Sequence, residues 1–305
     1  MTQRGEPIMK NLRSARQKNR GVTLIELMVG LAIGLLLVII ASTIYLYSKK
    51  SYNAVTENSQ MEENGRFALD LLSKYIQSAG FATIDPTAAT PTLPLEDKLG
   101  GCEYGFTNAS SASSPTDLTC LSAAPTGELQ SAGLFTRYET DLYASTAGKQ
   151  QGFGCTNEAA ASKLVAGVQT YESRSYFFVS HVTAQTPYGT RSMGQLSCVS
   201  DATPSVDGVA GAASYKVQPL IPGIEQLAIR YIAKTGRIGG VPLTTADWED
   251  VAAVEVCVLA RSIQASGNDT GTQYTDCYGN TLTAGPSESY RAMRSTVALR
   301  NTATL

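Results

Sequence analysis

From Val22 to Tyr47 the chain reads VTLIELMVGLAIGLLLVIIASTIYLY, an apolar run whose only formal charge is Glu26. As a helix rising about 1.5 Å per residue, this run exceeds the roughly 30 Å hydrocarbon core of a bilayer. Lys49 and Lys50 close it. A helical period then continues. Phe67, Leu71, Tyr75 and Ala79 recur at i, i+4, with Ala68, Leu72 and Ile76 beside them, which makes an apolar stripe. Glu62–Arg66, Arg66–Asp70 and Asp70–Lys74 have the i, i+4 spacing of ion pairs on the opposite face. Gly80 is a natural stop. The pattern predicts one helix from about Leu24 to Ser78, broken or bent near Gly30 and Gly34. Its second half is too short and irregular for a free coiled coil, so the stripe should pack on a globular domain.

Beyond Gly80 the period changes. Residues 82–135 are rich in Ala, Thr, Ser, Pro and Gly and predict a connecting region with little regular structure. Residues 174–183 predict a strand. Residues 224–232 alternate, with Leu227, Ile229 and Tyr231 on one face. Residues 251–261 place Val254, Val256 and Val258 on one face and Cys257 and Leu259 on the other, as in a strand buried on both sides. Residues 291–300 put Met293, Val297 and Leu299 together. Pro222-Gly223 and Gly239-Gly240 mark turns. A helix followed by antiparallel strands predicts an α+β fold: a long N-terminal helix, half transmembrane and half amphipathic, packed on an antiparallel β-sheet domain. No internal repeat is evident.

Charge gives the apolar run a direction. Residues 1–21 hold Arg4, Lys10, Arg13, Arg16, Lys18 and Arg20 against Glu6, a charge of +5, and residues 22–305 carry −7. A basic flank before a spanning helix keeps the N-terminus in the cytoplasm and sends the C-terminal bulk outward. The mildly acidic remainder has no basic run, so nucleic acid is not an expected partner.

The six cysteines, Cys102, Cys120, Cys155, Cys198, Cys257 and Cys277, form no C-x-x-C, and their even number fits disulfides in an oxidising compartment. The sequential pairing 102–120, 155–198 and 257–277 is the expectation, with buried free thiols as the alternative.

The apolar run is too long for an ordinary secretory signal, and no A-x-A-like site ends it. A plain anchor would not explain Glu26, because a carboxylate at the centre of a spanning helix costs about 2.5–3.5 kcal/mol. Arg20-Gly21-Val22-Thr23-Leu24-Ile25-Glu26-Leu27-Met28-Val29 resembles the type IV prepilin signal. That resemblance implies cleavage after Gly21 by a membrane prepilin peptidase and methylation of the new N-terminus at Val22, where the family more often has Phe or Met. Glu26 matches the family's fifth-position glutamate. In a filament it would neutralise the amine of a neighbouring subunit within an apolar bundle, since opposite charges attract strongly at low dielectric. Met9 is an alternative start that leaves the end of the leader unchanged.

Gln60-Met61-Glu62-Glu63-Asn64-Gly65-Arg66-Phe67-Ala68-Leu69-Asp70 resembles the post-membrane segment of PilW-type minor pilins. Pro222-Gly223-Ile224-Glu225-Gln226-Leu227 and Val297-Ala298-Leu299-Arg300-Asn301 are similar to later landmarks of that family. The resemblance implies a pilin-like fold and a low-abundance subunit that helps initiate the pilus at its tip. Its implied partners are the prepilin peptidase, other minor pilins, the major pilin, a large tip adhesin and the bacterial inner membrane. The exported domain would lie in the periplasm and then at the cell surface. The expected parts are a cleaved leader (1–21), a membrane or filament-core helix (22–48), an amphipathic helix (49–80) and an exported disulfide-containing domain (81–305). A minor pseudopilin of type II secretion is the alternative, and a membrane-anchored receptor a third reading.

Catalytic chemistry is sparse. The chain has one histidine, His181, in an apolar strand where a structural role is expected. There is no phosphate loop, H-E-x-x-H or G-x-S-x-G. Asp201 with Asp207, or Asp269 with Asp276, could offer oxygens to calcium, but neither stretch matches an EF-hand loop, and solvated loops are expected. Asn108 and Asn268 fit a glycosylation pattern that carries little weight in a bacterial pilin. Neither an enzyme, nor a cofactor, nor a metal site is expected.

Overall fold

The computed structural model describes residues 21–82, 98–107, 118–140, 143–145, 148–150, 154–156, 161–165, 168–186, 189–200, 205–206, 209–210, 217–236, 238–241, 248, 250–263, 271–286 and 288–301. The basic leader positions, Asp201, Asp207, Asp269, Asn108 and Asn268 lie outside them. The chain divides into two compact units, Met1–Lys50 and Ser51–Leu305.

Helix α1 spans Leu24–Ser78 without interruption. The expected break near Gly30 and Gly34 is absent. A glycine inside a helix costs about 1 kcal/mol relative to alanine. An opened turn in hydrocarbon would leave backbone groups unsatisfied at several kcal/mol each, so the helix persists. It stops as Gly80 predicts. Gly80 adopts φ 77°, the left-handed conformation that closes a helix, and its N–H donates to the Arg137 carbonyl at 2.8 Å.

The second unit holds the strands β1 (Leu99–Cys102), β2 (Gly133–Thr140), β3 (Tyr143–Ser145), β4 (Gly148–Gln150), β5 (Ala161–Val165), β6 (Val168–Thr186), β7 (Gly189–Ser200), β8 (Ser205–Val206) and β9 (Val209–Ala210). They are followed by β10 (Gln218–Pro222), β11 (Ile224–Ala233), β12 (Ile238–Gly239), β13 (Val251–Arg261), β14 (Gln273–Thr275), β15 (Thr281–Thr283) and β16 (Tyr290–Ala298). One antiparallel sheet has the order β1-β2-β6-β7-β10, with β5 also paired to β6; the second has the order β12-β11-β13-β16. Hairpins β3–β4, β8–β9 and β14–β15 stand apart.

The apolar faces of both sheets and the second half of α1 share one core. It includes Leu72, Ile76, Leu134, Phe177, Leu196, Leu227, Val254, Val256, Val258 and Val297. Strand β13 is buried on both sides, with Cys257 and Leu259 in a second cluster beside the β14–β15 hairpin. Among the described residues of 82–135, composition did not reveal β1, whose Gly100 and Gly101 lie against β2, or the start of β2 at Gly133. The turn expected at Gly239-Gly240 falls earlier, at Lys234–Gly236, where Gly236 has φ 81°; Gly239 pairs with Tyr231 as part of β12.

Candidate assembly site

The first unit begins at the residues singled out by the prepilin-like signal. Gly21, Val22 and Thr23 precede the helix. The Thr23 hydroxyl accepts the N–H of Glu26 at 3.3 Å, and the Thr23 carbonyl accepts that of Leu27 at 3.1 Å. Thr23 is therefore the N-cap, and Thr23-Leu24-Ile25-Glu26 is a T-x-x-E capping sequence with Glu26 at the third helical position. The sequence reading missed this role, although the spacing announces it. Glu26 sits in the first turn, where the helix dipole favours a negative charge. Every side chain from Gly21 to Asn53 is exposed, and α1 is long and apolar enough to cross a membrane. Exposure on this scale in an apolar helix marks a surface made for lipid or for other helices.

The second unit begins with the amphipathic part of α1. Its buried line is Met61, Gly65, Ala68, Leu72 and Ile76, continued by Ala79 just past the helix end. The expected stripe was set a little off this line. Phe67 is 55% exposed, while Leu71 and Tyr75 flank the core. Tyr75 packs on Phe177, with ring centroids 4.8 Å apart. A side chain at Gly65 would overlap the end of Met293 and lie 3.4 Å from Ala260 Cβ, so glycine sets the approach of α1 to β13 and β16. Of the expected i, i+4 pairs, Glu62–Arg66 (2.6 Å) and Asp70–Lys74 (2.8 Å) form on the surface. Arg66 turns to Glu62, which also meets Arg291 at 3.4 Å.

The three PilW-like segments converge on this dock. Asn64 donates to the Pro222 carbonyl at 3.2 Å. The Asn301 amide donates to the Ala79 carbonyl at 3.1 Å, satisfying the end of the helix. Glu225, buried at the start of β11, accepts the Gly194 N–H at 3.0 Å and pairs with Arg261 at 3.0 Å. Arg261 also donates to the Ser192 carbonyl at 3.0 Å and pairs with Glu288 at 2.9 Å. Burial opposes the charge on Arg261, but Tyr290, Glu225 and Glu288 outweigh it and raise its pKa. This clamp joins β7 of one sheet to β11 and β13 of the other. Its partners are too far apart in sequence for any local spacing rule to find them.

His181 lies in β6, with Nδ1 3.5 Å from Glu128 and Nε2 3.8 Å from Glu225. Among the described residues no cluster of His, Cys, Asp or Glu could hold a metal ion. Asp276 is instead the centre of a tight turn. Its carboxylate accepts the N–H groups of Tyr278 (2.9 Å) and Asn280 (2.7 Å) and the Asn280 side-chain amide (3.0 Å). Burial would raise the Asp276 pKa, but the hydrogen bonds from Asn280, Gln226 and Tyr278 hold it below the usual carboxylate range. The cysteines form three disulfides, Cys102–Cys120, Cys155–Cys198 and Cys257–Cys277.

A capped apolar helix followed by antiparallel sheets is the α+β arrangement of a type IV pilin-like subunit, and residues 16–42 match the prokaryotic N-terminal methylation motif. Residues 176–301, from within β6 through β16, match the family described as Type IV Pilus-assembly protein W. Over that segment, which is less than half of the chain, it is similar to this PilW family of structural rather than enzymatic proteins. The motif implies processing by a prepilin peptidase, the family implies other pilins as partners, and the apolar helix fits anchoring in the inner membrane. No curated protein matches the chain.

Proposed function

We propose that this protein is a minor pilin that is cut after Gly21, anchored through residues 22–48 and used to initiate the type IV pilus within a tip priming complex. The observation that carries the reading is the junction itself. The methylation motif coincides with a capped helix start that has Glu26 in its first turn, followed by an apolar run that is exposed among the described residues. Cleavage creates a cationic amine at Val22. Glu26 of an incoming subunit is suited to neutralise the amine of its neighbour, because an unpaired charge in an apolar bundle is penalised and a paired one is not. That preference would select axial register. The PilW match supports a pilus over a secretion pseudopilus.

Two substitutions separate processing from assembly. Gly21→Asp should leave the leader attached, read as retained mass, and normal processing of that variant would overturn the leader assignment. Glu26→Ala should be processed normally yet fail to enter pili. At the cellular level, deletion should abolish surface pili and twitching while secretion stays intact. Loss of secretion with pili retained would favour a pseudopilin instead. Co-purification of the full chain with the other minor pilins and a tip adhesin tests its place in a tip complex.

A further inference from the structure

Strand β16 is an edge. Among the described residues it pairs with β13 alone, in regular antiparallel register from Arg261↔Tyr290 to Ala253↔Ala298. Two hydrogen bonds fix which backbone groups face outward. The Leu299 N–H donates to the Ala252 carbonyl at 2.9 Å, and the Arg261 N–H points the other way, to the Gly223 carbonyl at 2.7 Å. Antiparallel ladders alternate, so Arg291, Met293, Ser295 and Val297 bond to β13. Tyr290, Ala292, Arg294, Thr296 and Ala298 then present their N–H and C=O groups to the outside.

Natural edges are blunted by proline, a bulge, a short length or edge charges, of which only charge is present here. This one has no proline, no bulge and nine residues. Its exposed charges are all positive: Arg291 and Arg294, with side chains 57% and 49% exposed, followed by exposed Arg300. Arg291 lies on the row of side chains that faces α1, and Arg294 on the row that faces the β14–β15 hairpin. Arg291 meets Glu62 at 3.4 Å, and Arg294 donates to the Cys277 carbonyl at 3.1 Å and lies 4.0 Å from Glu255, so both guanidinium groups keep exposed donors. Pairing of β16 with a second β16 would set like charges against one another, which is destabilising.

We infer that β16 is a docking strand for an extended, acid-bearing segment of another exported protein chain, which adds to the second sheet by main-chain hydrogen bonds. The five outward residues supply the ladder, and the arginines on both rows select carboxylates on the incoming strand. The inference goes beyond the proposed role at the tip and does not depend on it.

Amide hydrogen exchange on the full-length chain in detergent tests it, using a nine-residue peptide of alternating Thr, Val and Glu as the probe. The acidic peptide should slow exchange at Ala292, Arg294, Thr296 and Ala298 by about tenfold or more, a change that corresponds to at least about 1.4 kcal/mol. The amides of Met293, Ser295 and Val297 should stay protected throughout. The same peptide with Lys in place of Glu should have no effect. Thr296→Pro should abolish the response while the ladder amides remain protected, which shows that the variant is folded. Slow exchange of the outward amides in the chain alone would mean that the edge is already covered and would overturn the inference. No response to the acidic peptide, or an equal response to both peptides, would overturn it too.

Discussion

Gly65 and Tyr75 mark the two ends of the contact by which α1 is held to the sheets. At Gly65 the missing side chain is what Met293 occupies. Gly65→Val should destabilise the second unit by about 1–3 kcal/mol through overpacking. Met293→Ala should absorb part of that cost, giving a coupling of at least about 0.5 kcal/mol in a double-mutant cycle of denaturant unfolding. At the other end, burial first, and then the neighbouring Tyr138, push the Tyr75 phenol up from 10.0 to about 12. The fold therefore favours the neutral form. Its contribution is whole below pH 10 and is lost as pH rises towards about 12. Tyr75→Phe should flatten that alkaline loss, followed as unfolding against tyrosinate absorbance. Hydropathy found Tyr75 but mistook the phase of the stripe. Phe67 and Ala68 are neighbours, so either could begin an i, i+4 series, and a glycine used for packing leaves no trace in an apolar pattern.

At the scale of elements, the strands that alternate were legible and the rest were not. Strands β11 and β16 were read close to their observed bounds because their apolar positions alternate, and β13 because it is a bounded apolar run buried on both sides. Strand β6 is longer than expected, because backbone pairing with β5 and β7 extends it at both ends without a clear apolar alternation to announce it. Strand β1 was hidden by its two glycines. The clamp between the sheets was hidden by distance, since Arg261 and Glu225 are 36 residues apart. Yet it should matter more than the legible surface pairs. Arg261→Ala leaves Glu225 and Glu288 without their guanidinium in a largely buried site and should cost about 3–5 kcal/mol. Lys74→Ala removes an exposed pair and should cost no more than about 1 kcal/mol. Thermal unfolding of the two variants side by side checks the contrast.

The whole second unit is tied by disulfides at three separate places. Cys102–Cys120 fastens β1 to the segment that follows it, Cys155–Cys198 fastens a loop to β7, and Cys257–Cys277 fastens β13 to the Asp276 turn. Each should contribute about 2–4 kcal/mol, chiefly by restricting the unfolded chain. Replacing both Cys257 and Cys277 by Ala should lower stability by that amount. It should also weaken the Asp276 turn, so acid unfolding should begin at a higher pH than in the parent. The sign follows from the lowered Asp276 pKa: the stabilisation is present above the ordinary carboxylate range and is lost as pH falls through the folded value.

The hydrogen bond from Asn301 to the Ala79 carbonyl joins residues 222 positions apart. During synthesis the helix emerges first, and the partners that cover its seam (Val297, Leu299 and Asn301) emerge more than two hundred residues later. Until then the seam is covered only in part, by residues such as Phe177. A chain interrupted before β16 leaves that part of the seam bare and the Ala79 carbonyl without the Asn301 amide. The last strand thus completes a surface that the first helix begins, and a fragment without it presents an open apolar seam to whatever it meets.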